Sequence, residues 1–163
     1  LEPTIEATLL AAVAAAVDSA DALVLEDYNK GVLSEPVIRH AITAARAKTI
    51  PVVVDPKFRN FFAYGGATVF KPNRRELESA LGAAIDLAHP DALVDAVNRL
   101  GVERLLLTLG EQGMALVTPA GMVARIPAVA REVFDVVGAG DTVTAYLATM
   151  LAAGATCEEA AVI

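Results

Sequence analysis

The stretch FDVVGAGDT, Phe134–Thr142, leads directly into the apolar, alanine-rich segment Val143–Ala153. Its two glycines let the backbone turn sharply and expose N–H groups, and the helix predicted to follow adds the positive end of its dipole. Such a turn attracts anions, yet the sequence places a carboxylate there, Asp141, which the dipole should keep ionised and able to accept a proton. A base beside an anion-binding turn suggests phosphoryl transfer, although the start of an ordinary helix explains the turn equally well.

The composition of the 163-residue chain indicates one compact domain, because 55% of the residues are apolar and the mean hydropathy is +0.52. The apolar residues are mostly Ala, Val and Leu, with 5% aromatic residues, which is typical of helices layered on a parallel sheet. The net charge is −7 and no basic cluster exceeds Arg74-Arg75, which argues against a nucleic-acid partner. The longest apolar run near the start, Leu9–Val17, is too short to cross a membrane.

Cysteine and histidine are scarce in the sequence. The single cysteine, Cys157, excludes an internal disulfide and a cysteine-based zinc site, and it fits a reducing cytoplasm. The two histidines, His40 and His89, are too few for a histidine metal cluster. Neither end shows the Gly, Pro or charged residues that close a domain, so we expect the chain to be part of a longer protein.

Short apolar runs alternate with helical patterns along the chain. The pattern predicts strands at Ala22–Leu25, Pro51–Val54, Ala67–Phe70 and Arg104–Leu109, and helices at Thr4–Val17, Glu35–Lys48 (with Ser34 as N-cap), 74–81 and Pro90–Leu100. Met114–Thr118 and Met122–Ile126 flank Pro119-Ala120-Gly121 and predict an antiparallel hairpin. The expected fold is therefore α/β, with three layers, a mostly parallel sheet, helices on both faces and the hairpin at one edge.

Polar loops follow the four predicted parallel strands. Because the carboxyl ends of parallel strands share one edge of a sheet, these loops and the glycine turn are expected to line a single crevice. The segments are Glu26–Gly31, Asp55–Asn60, Lys71–Glu76, Thr108–Gly113 and Gly138–Asp141. Each segment is ambiguous when taken alone. Five segments on one edge whose residues suit phosphate binding, metal binding and proton transfer are, however, poorly explained by chance.

Asn73 and Glu76 begin the third helix and lie three residues apart. Both could face a metal–phosphate group, Glu76 through water to Mg²⁺, which usually keeps several waters. A capping box explains the same pair at least equally well. Arg74 and Arg75 could meet phosphate or lie on an exposed helix face.

The segment Thr108–Gly113 could bring backbone close to the phosphates of a nucleotide, with Thr108 offering a hydroxyl group. A tight turn is the favoured explanation when this loop is taken alone. Lys30 and Lys57 follow strand ends, where an ammonium group can reach an anion, although a role in surface solubility is equally plausible.

Three motifs together resemble one family. Asp135–Thr142, preceded by Asn73–Glu76 and Thr108–Gly113 in that order and spacing, resembles the ribokinase-like (PfkB) carbohydrate kinases, and the resemblance spans Ala22 to about Cys157. Within that family the chain looks most like the kinase domain of bacterial heptose-phosphate kinase / ADP-heptose synthase proteins. The segments that carry this likeness are Glu26–Gly31, Asp55–Lys57, Lys71–Asn73 and Glu132–Asp135.

The resemblance implies ATP-dependent phosphorylation of the anomeric hydroxyl of D-glycero-β-D-manno-heptose 7-phosphate to the 1,7-bisphosphate, an early step toward the lipopolysaccharide core. Asp141 would be the base, and the N–H groups of Gly138, Ala139 and Gly140 would stabilise the transferring group. By the same likeness, the remaining contacts to Mg²⁺, nucleotide and phosphate fall to Asn73, Arg74, Arg75, Glu76, Thr108, Gly110, Gly113, Lys30 and Lys57.

The resemblance also implies that residues 1–163 are the C-terminal portion of one ribokinase-like domain, without the earlier half that supplies most sugar contacts. A homodimer and a fused nucleotidyltransferase domain outside this chain are compatible with it. Many relatives carry a Phe where this chain has Val143, and a Gly-Gly or Gly-Ala pair where it has Ala145-Tyr146. The alternatives are therefore another sugar or sugar-phosphate kinase of the family, or a nucleotide-binding module without catalysis.

Overall fold

The strands form one six-stranded sheet in the order β1-β2-β3-β4-β5-β6. The computed structural model describes residues 2–128 and 138–162, so the predicted motif segment Glu132–Asp135 lies outside the described residues. The strands are β1 (Leu23–Glu26), β2 (Val52–Asp55), β3 (Val69–Phe70), β4 (Arg104–Thr108), β5 (Met114–Thr118) and β6 (Gly121–Ile126). Strands β1 to β4 run parallel, whereas β5 and β6 add an antiparallel hairpin at one edge, as predicted.

Six α-helices precede, connect or follow these strands in the described part of the chain. They are α1 (Pro3–Val17), α2 (Glu35–Ala47), α3 (Arg74–Leu81), α4 (Asp91–Leu100), α5 (Ala139–Ala152) and α6 (Cys157–Ala161). Short 3₁₀ turns lie at Phe58–Asn60 and Gly110–Gln112. No helix among the described residues is long and apolar enough to cross a membrane.

The core consists of two apolar layers, one on each face of the sheet. Val52, Val54, Phe70, Leu105 and Leu107 belong to the layer that also contains buried residues of α2, α3 and α4. Alternate strand residues, including Val53, Val69, Leu106 and Leu116, pack with Leu147 and Ala148 of α5 and with α6. Since the strands are buried on both faces, the apolar runs are continuous rather than alternating. The predicted three-layer α/β fold is confirmed.

Cys157 is buried at the start of α6, as expected for a small core residue. Burial raises the pKa of its thiol to about 11. The thiol therefore stays protonated and acts as an apolar side chain.

The predicted ends of several strands differ from the observed ones by one or two residues. Strands β1 and β2 continue one residue beyond their apolar runs, because Glu26 and Asp55 pair in register at the end of the parallel ladder. Strand β3 begins later than predicted, at Val69; before it, the Thr68 N–H donates to the Val52 carbonyl at 3.0 Å, and the Val52 N–H donates to the Thr68 hydroxyl at 3.0 Å.

Ser34 occupies the N-cap position of α2, as predicted. Its side chain makes no capping hydrogen bond; the hydroxyl instead donates to the Glu6 carboxylate at 2.6 Å. This contact ties α2 to α1, and such long-range competition is invisible in a local pattern.

Candidate active site

Helix α5 begins at the predicted glycine turn. Gly138 is the N-cap residue with a φ of 81°, a left-handed conformation that costs glycine little. Ala139 and Gly140 are the first two helical residues and Asp141 is the third. The first N–H groups of a helix have no partner within the helix, and its dipole is positive at this end. The turn therefore offers anion-binding N–H groups beside a carboxylate.

Asp141 lies among the ends of β1 and β2. The Tyr28 hydroxyl, from the loop after β1, donates a hydrogen bond to Asp141 Oδ2 at 3.1 Å. Carboxylate oxygens of Glu26, Asp55 and Asp141 all lie within 4.8 Å of one another. Asp55 is buried and Asp141 is exposed, so the group extends from the sheet edge to the surface.

A buried lysine offsets part of this negative charge. Lys71 directly follows β3, is only 3% exposed, and donates from Nζ to Asp55 Oδ2 at 2.9 Å. The same ammonium lies under the start of α5, 3.5 Å from where a Cβ on Gly140 would be. Lys71 therefore places a fixed positive charge below the anion-binding turn.

The loop that carries Tyr28 is held by the buried carboxylate of Asp27. Asp27 accepts hydrogen bonds from the Asn29 N–H at 2.7 Å and from the Tyr64 hydroxyl at 3.0 Å. Its own N–H donates to the Asp55 carbonyl at 3.0 Å and so extends the β1–β2 pairing. The position of Tyr28 is therefore set by the sheet edge rather than by a free loop.

Glu76 and Lys57 form a second charged pair on the same edge. Lys57 Nζ donates to Glu76 Oε1 at 2.6 Å and lies 3.8 Å from Asp55 Oδ1. Burial acts to lower the pKa of Lys57, but the hydrogen bond and charge of Glu76, together with Asp55, outweigh it and raise the pKa. The pair therefore links the β2 end to the start of α3.

Asn73 and Glu76 form the capping box that the sequence left as one of two explanations. Asn73 Oδ1 accepts from the Glu76 N–H at 2.9 Å, and Glu76 Oε2 accepts from the Asn73 N–H at 2.9 Å. Both oxygens of the buried Glu76 carboxylate thus have a donor. Capping holds these two side chains at the strand edge, which is also the position that a metal–phosphate role requires.

Thr108 joins the same edge. Its N–H donates to the Pro72 carbonyl at 3.0 Å, and Thr108 pairs with Asn73 in a parallel bridge beyond the two strand ends. After Thr108, two main-chain hydrogen bonds close a compact turn. The Leu109 N–H donates to the Gly113 carbonyl at 2.8 Å, and the Gly113 N–H donates to the Gly110 carbonyl at 2.9 Å. Hydrogen bonds and ion pairs therefore run from Asp55, through Lys57, Glu76 and Asn73, to Thr108, and a carboxylate oxygen of Asp141 lies within 4.8 Å of one on Asp55.

Three predicted residues have no contact with this chain of side chains in the described ranges. Lys30 is exposed, on the loop after Tyr28. Arg74 donates from Nε to Glu78 at 2.8 Å and from Nη2 to the Ile85 carbonyl at 2.9 Å, and Arg75 is exposed. Arg74 therefore holds the segment after α3.

Four residues of the site received no assigned role in the sequence analysis: Glu26, Tyr28, Asp55 and Lys71. Glu26 and Asp55 end neighbouring strands, so a register prediction was the signal that could have paired them. Lys71 had no such signal, because a lysine after a strand normally lies in solvent.

The electrostatics of the site follow from burial and like charges. Burial, followed by the charges of Asp141 and Asp55, raises the pKa of Glu26. The hydrogen bond to Asp141 is the main cause of the raised pKa of Tyr28. Both groups therefore hold their protons next to Asp141 more firmly than the free side chains would.

Together, the fold and this edge define a class of protein. A mostly parallel α/β sheet that presents a carboxylate at an anion-binding helix terminus has the arrangement of a phosphotransferase. Residues 3–163 match the family described as "pfkB family carbohydrate kinase", and the chain belongs to that family of sugar kinases. The family predicted from the motifs is confirmed.

Particular relatives refine this picture. The chain is 47% identical to the bifunctional protein HldE of Gluconacetobacter diazotrophicus over 98% of its own length and 34% of that protein. It is 50% identical to the bifunctional protein HldE of Azorhizobium caulinodans over 94% of its length and 32% of that protein. The chain thus spans about a third of the length of these curated relatives.

Solved structures with the same fold are more distant in sequence. The ribokinase of Arabidopsis thaliana, complexed with ribose and ATP, is similar with a TM-score of 0.76 and 24% identity over 90% of this chain and 48% of that one. The tetrameric inhibited form of phosphofructokinase-2 from Escherichia coli is similar with a TM-score of 0.77 and 22% sequence identity. The match covers 99% of this chain and 54% of that one. At this identity the likeness shows the fold alone.

Proposed function

We propose that the full-length protein transfers the γ-phosphoryl group of ATP to the anomeric hydroxyl of D-glycero-β-D-manno-heptose 7-phosphate. The observation that carries the proposal is Asp141, held by Tyr28 at the N-terminus of α5 beside the strand ends of the crevice. The resemblance of the strand-end segments to heptose-phosphate kinases supports the choice of acceptor. So does the 47–50% identity to two HldE proteins.

Asp141 acts on the acceptor in this proposal. Its carboxylate takes the proton of the anomeric hydroxyl, the hydroxyl oxygen bonds to the γ-phosphorus, and the bond to the departing ADP breaks. The N–H groups of Gly138, Ala139 and Gly140 donate toward the transferring phosphoryl group. Lys71 adds positive charge below the same turn, 3.5 Å from the Cβ position of Gly140.

Asn73 and Glu76 fit a magnesium ion. Their oxygen atoms are of the type that Mg²⁺ prefers, and the capping box holds them at the crevice. Both Glu76 oxygens already accept hydrogen bonds, which favours contact through water, as predicted. The ion, when bound, supplies charge neutralisation for the phosphates.

The remaining predicted contacts keep their proposed roles. Thr108, Gly110 and Gly113 form the compact turn that faces the nucleotide, and Lys57 and Lys30 are assigned to phosphate groups. For Arg74, contact with phosphate requires release from Glu78 and Ile85, so the exposed Arg75 is the better placed of the two.

An acceptor panel tests the proposal. The full-length protein is incubated with Mg-ATP and a series of sugars and sugar phosphates, and product is detected by ³¹P NMR. We expect the heptose 7-phosphate to give the highest kcat/KM and a new anomeric phosphate signal. A higher kcat/KM for a hexose or pentose would replace the acceptor, and the absence of transfer to all of them would overturn the kinase assignment.

A nucleotide-binding module is the second candidate, favoured by the fact that the chain spans about half of each solved kinase. Calorimetric titration of the 163-residue chain with Mg-ATP separates the two: binding without transfer to any acceptor favours the module. The HldE relatives are named bifunctional proteins, which supports a second activity in the full-length protein; a fused nucleotidyltransferase domain remains a prediction. A homodimer and a cytoplasmic location remain predictions.

A further inference from the structure

We propose that Glu26 and Tyr28 are positioning residues for Asp141, with Glu26 holding a proton that it donates to the Asp141 carboxylate while Tyr28 donates a second hydrogen bond. This inference rests on the proposed function of Asp141 as the base. It assigns a role to two side chains that the mechanism above does not use. Asp141 would then be the ionised member of a carboxyl pair that shares one proton.

The first observation is the environment of Glu26. Its Oε1 atom is shielded from solvent and accepts no hydrogen bond from residues 2–128 or 138–162. A buried carboxylate oxygen without a donor is costly, whereas a protonated carboxyl group becomes a donor itself. A carboxylate oxygen of Asp141 lies within 4.8 Å of one on Glu26, so a small side-chain adjustment brings the two into hydrogen-bond contact.

The second observation is that the neighbouring carboxylates already have donors. Asp55 accepts from Lys71 at 2.9 Å, and Asp141 accepts from Tyr28 at 3.1 Å. The positive end of α5 further stabilises negative charge on Asp141. Three carboxylates within 4.8 Å of one another cannot all ionise cheaply, since the nearby cations Lys71 and the half-buried Lys57 both lie against Asp55, at 2.9 and 3.8 Å. Glu26 is the member of this group for which a proton costs least.

The groups that face Glu26 act on its pKa in opposing directions, and those that raise the pKa prevail. Burial comes first, then Asp141 from α5 and Asp55 from β2, and together they raise the pKa of Glu26, while Lys71 opposes them. Tyr28 holds its own proton firmly because it donates to Asp141. The carboxylates on α5 and β2 therefore favour a proton on Glu26, and the ammonium of Lys71 after β3 only partly offsets them.

The arrangement has a chemical consequence for the base. Two donors fix the Asp141 carboxylate and leave a lone pair free for the acceptor hydroxyl. During transfer the hydroxyl proton goes to Asp141, and Glu26 keeps its own proton throughout. When the pH rises far enough to ionise Glu26, a donor is lost and a second negative charge faces the incoming phosphate, so turnover falls.

Carbon-13 NMR of the full-length protein with labelled glutamate side chains tests the pair without relying on activity. The resonance that disappears in Glu26→Gln is expected to titrate above the ordinary pH range of glutamate. In Asp141→Asn its midpoint should move down. A Glu26 that titrates in the ordinary range overturns the proposal, whether or not the protein is a kinase.

The pH dependence of kcat gives the functional test. Glu26→Gln keeps a donor and should retain kcat within a few-fold of wild type near neutral pH, whereas Glu26→Ala should lose about tenfold or more. The alkaline fall of the wild-type profile should be absent in Glu26→Gln, and Tyr28→Phe should lower kcat more than it changes KM. Glu103→Gln, at an exposed position, is the control for loss of a glutamate charge.

Two outcomes contradict the positioning role. If Glu26→Gln is as inactive as Glu26→Ala, the carboxylate is required and a hydrogen-bond donor is not sufficient. If the fall of kcat at alkaline pH is unchanged in Glu26→Gln, that fall is caused by another group. If the wild-type protein phosphorylates no acceptor, the proposed function fails, and the NMR titration alone decides the pair.

Discussion

Among single residues, Asp141 and Asp55 show how neighbours separate two carboxylates of one cluster. Asp55 is 7% exposed and bound by Lys71, whereas Asp141 is exposed and bound by Tyr28. A buried, paired carboxylate is a structural group, while an exposed one at a helix terminus can meet a substrate. The geometry therefore favours Asp141 as the base.

Asp141→Asn should lower kcat by about 10²–10⁴-fold, because an amide of the same shape cannot accept the hydroxyl proton. Binding of Mg-ATP should stay close to wild type, since the proposed role of Asp141 is toward the acceptor and not the nucleotide. Turnover and calorimetric titration of the full-length protein measure the two effects, with Asp21→Asn at an exposed position as the control. Near-normal turnover would refute the base assignment.

Lys71→Met should destabilise the protein by about 3–5 kcal/mol, because it leaves the buried Asp55 carboxylate without its closest cation. Urea unfolding at neutral pH measures the loss. The double variant Asp55→Asn/Lys71→Met removes both charges and should recover much of the stability. Equal losses in the single and double variants would show that the ammonium is not needed to balance Asp55.

At the scale of elements, the strand ends explain which predictions were confirmed. The order of strands and helices, the hairpin and the start of α3 at Asn73 follow from local patterns and caps, and all are observed. The side-chain contacts of Thr68, before β3, and of Ser34, at the N-cap of α2, involve partners that are distant in sequence. Local patterns carry no information on such contacts.

The hairpin depends on glycine at position 113. Gly113 has a φ of 83°, and a Cβ there would overlap the carbonyl oxygen of Ile126. Gly113→Ala should therefore cost more than the 1–3 kcal/mol typical of a strained left-handed residue alone. Gly154→Ala is the matched control, with a φ of 90° and no heavy atom within 4 Å of the added Cβ.

Thermal and urea unfolding of both variants measure the difference in the free energy of unfolding. Gly154→Ala bears only the cost of the left-handed conformation. The additional loss of unfolding free energy in Gly113→Ala therefore reports the steric overlap. Equal destabilisation of the two variants would mean that β6 moves aside without loss, and the turn before β5 would then not be fixed by this contact.

For the whole molecule, Glu26 links stability to pH. Its pKa is raised in the folded state, so the unfolded chain loses this proton first as the pH rises. The contribution of Glu26 is therefore fully present below the unfolded pKa and is lost as the pH rises through the folded pKa. Between those two values the folded protein should lose stability relative to a variant without this carboxyl group.

Melting temperatures of the wild type and Glu26→Gln, measured from acid to neutral pH, test this linkage. The wild-type value minus the variant value should fall as the pH rises through this window. Exposed carboxyl groups whose pKa is lowered, such as Glu159 and Asp86, act in the opposite direction but cancel in the difference. A difference that stays constant or rises with pH would contradict the raised pKa of Glu26.

The sequence by itself determined the α/β class, the order of elements, the hairpin and the family, because periodicity, caps and glycine turns are local features. It also placed Asn73, Thr108 and Asp141 on one edge, since parallel strands share their carboxyl ends. Only the tertiary structure decided that Glu26 meets Asp55, that Lys71 is buried and that Tyr28 reaches Asp141 across 113 residues. Strand register and burial set these contacts, and neither can be read from a local sequence pattern.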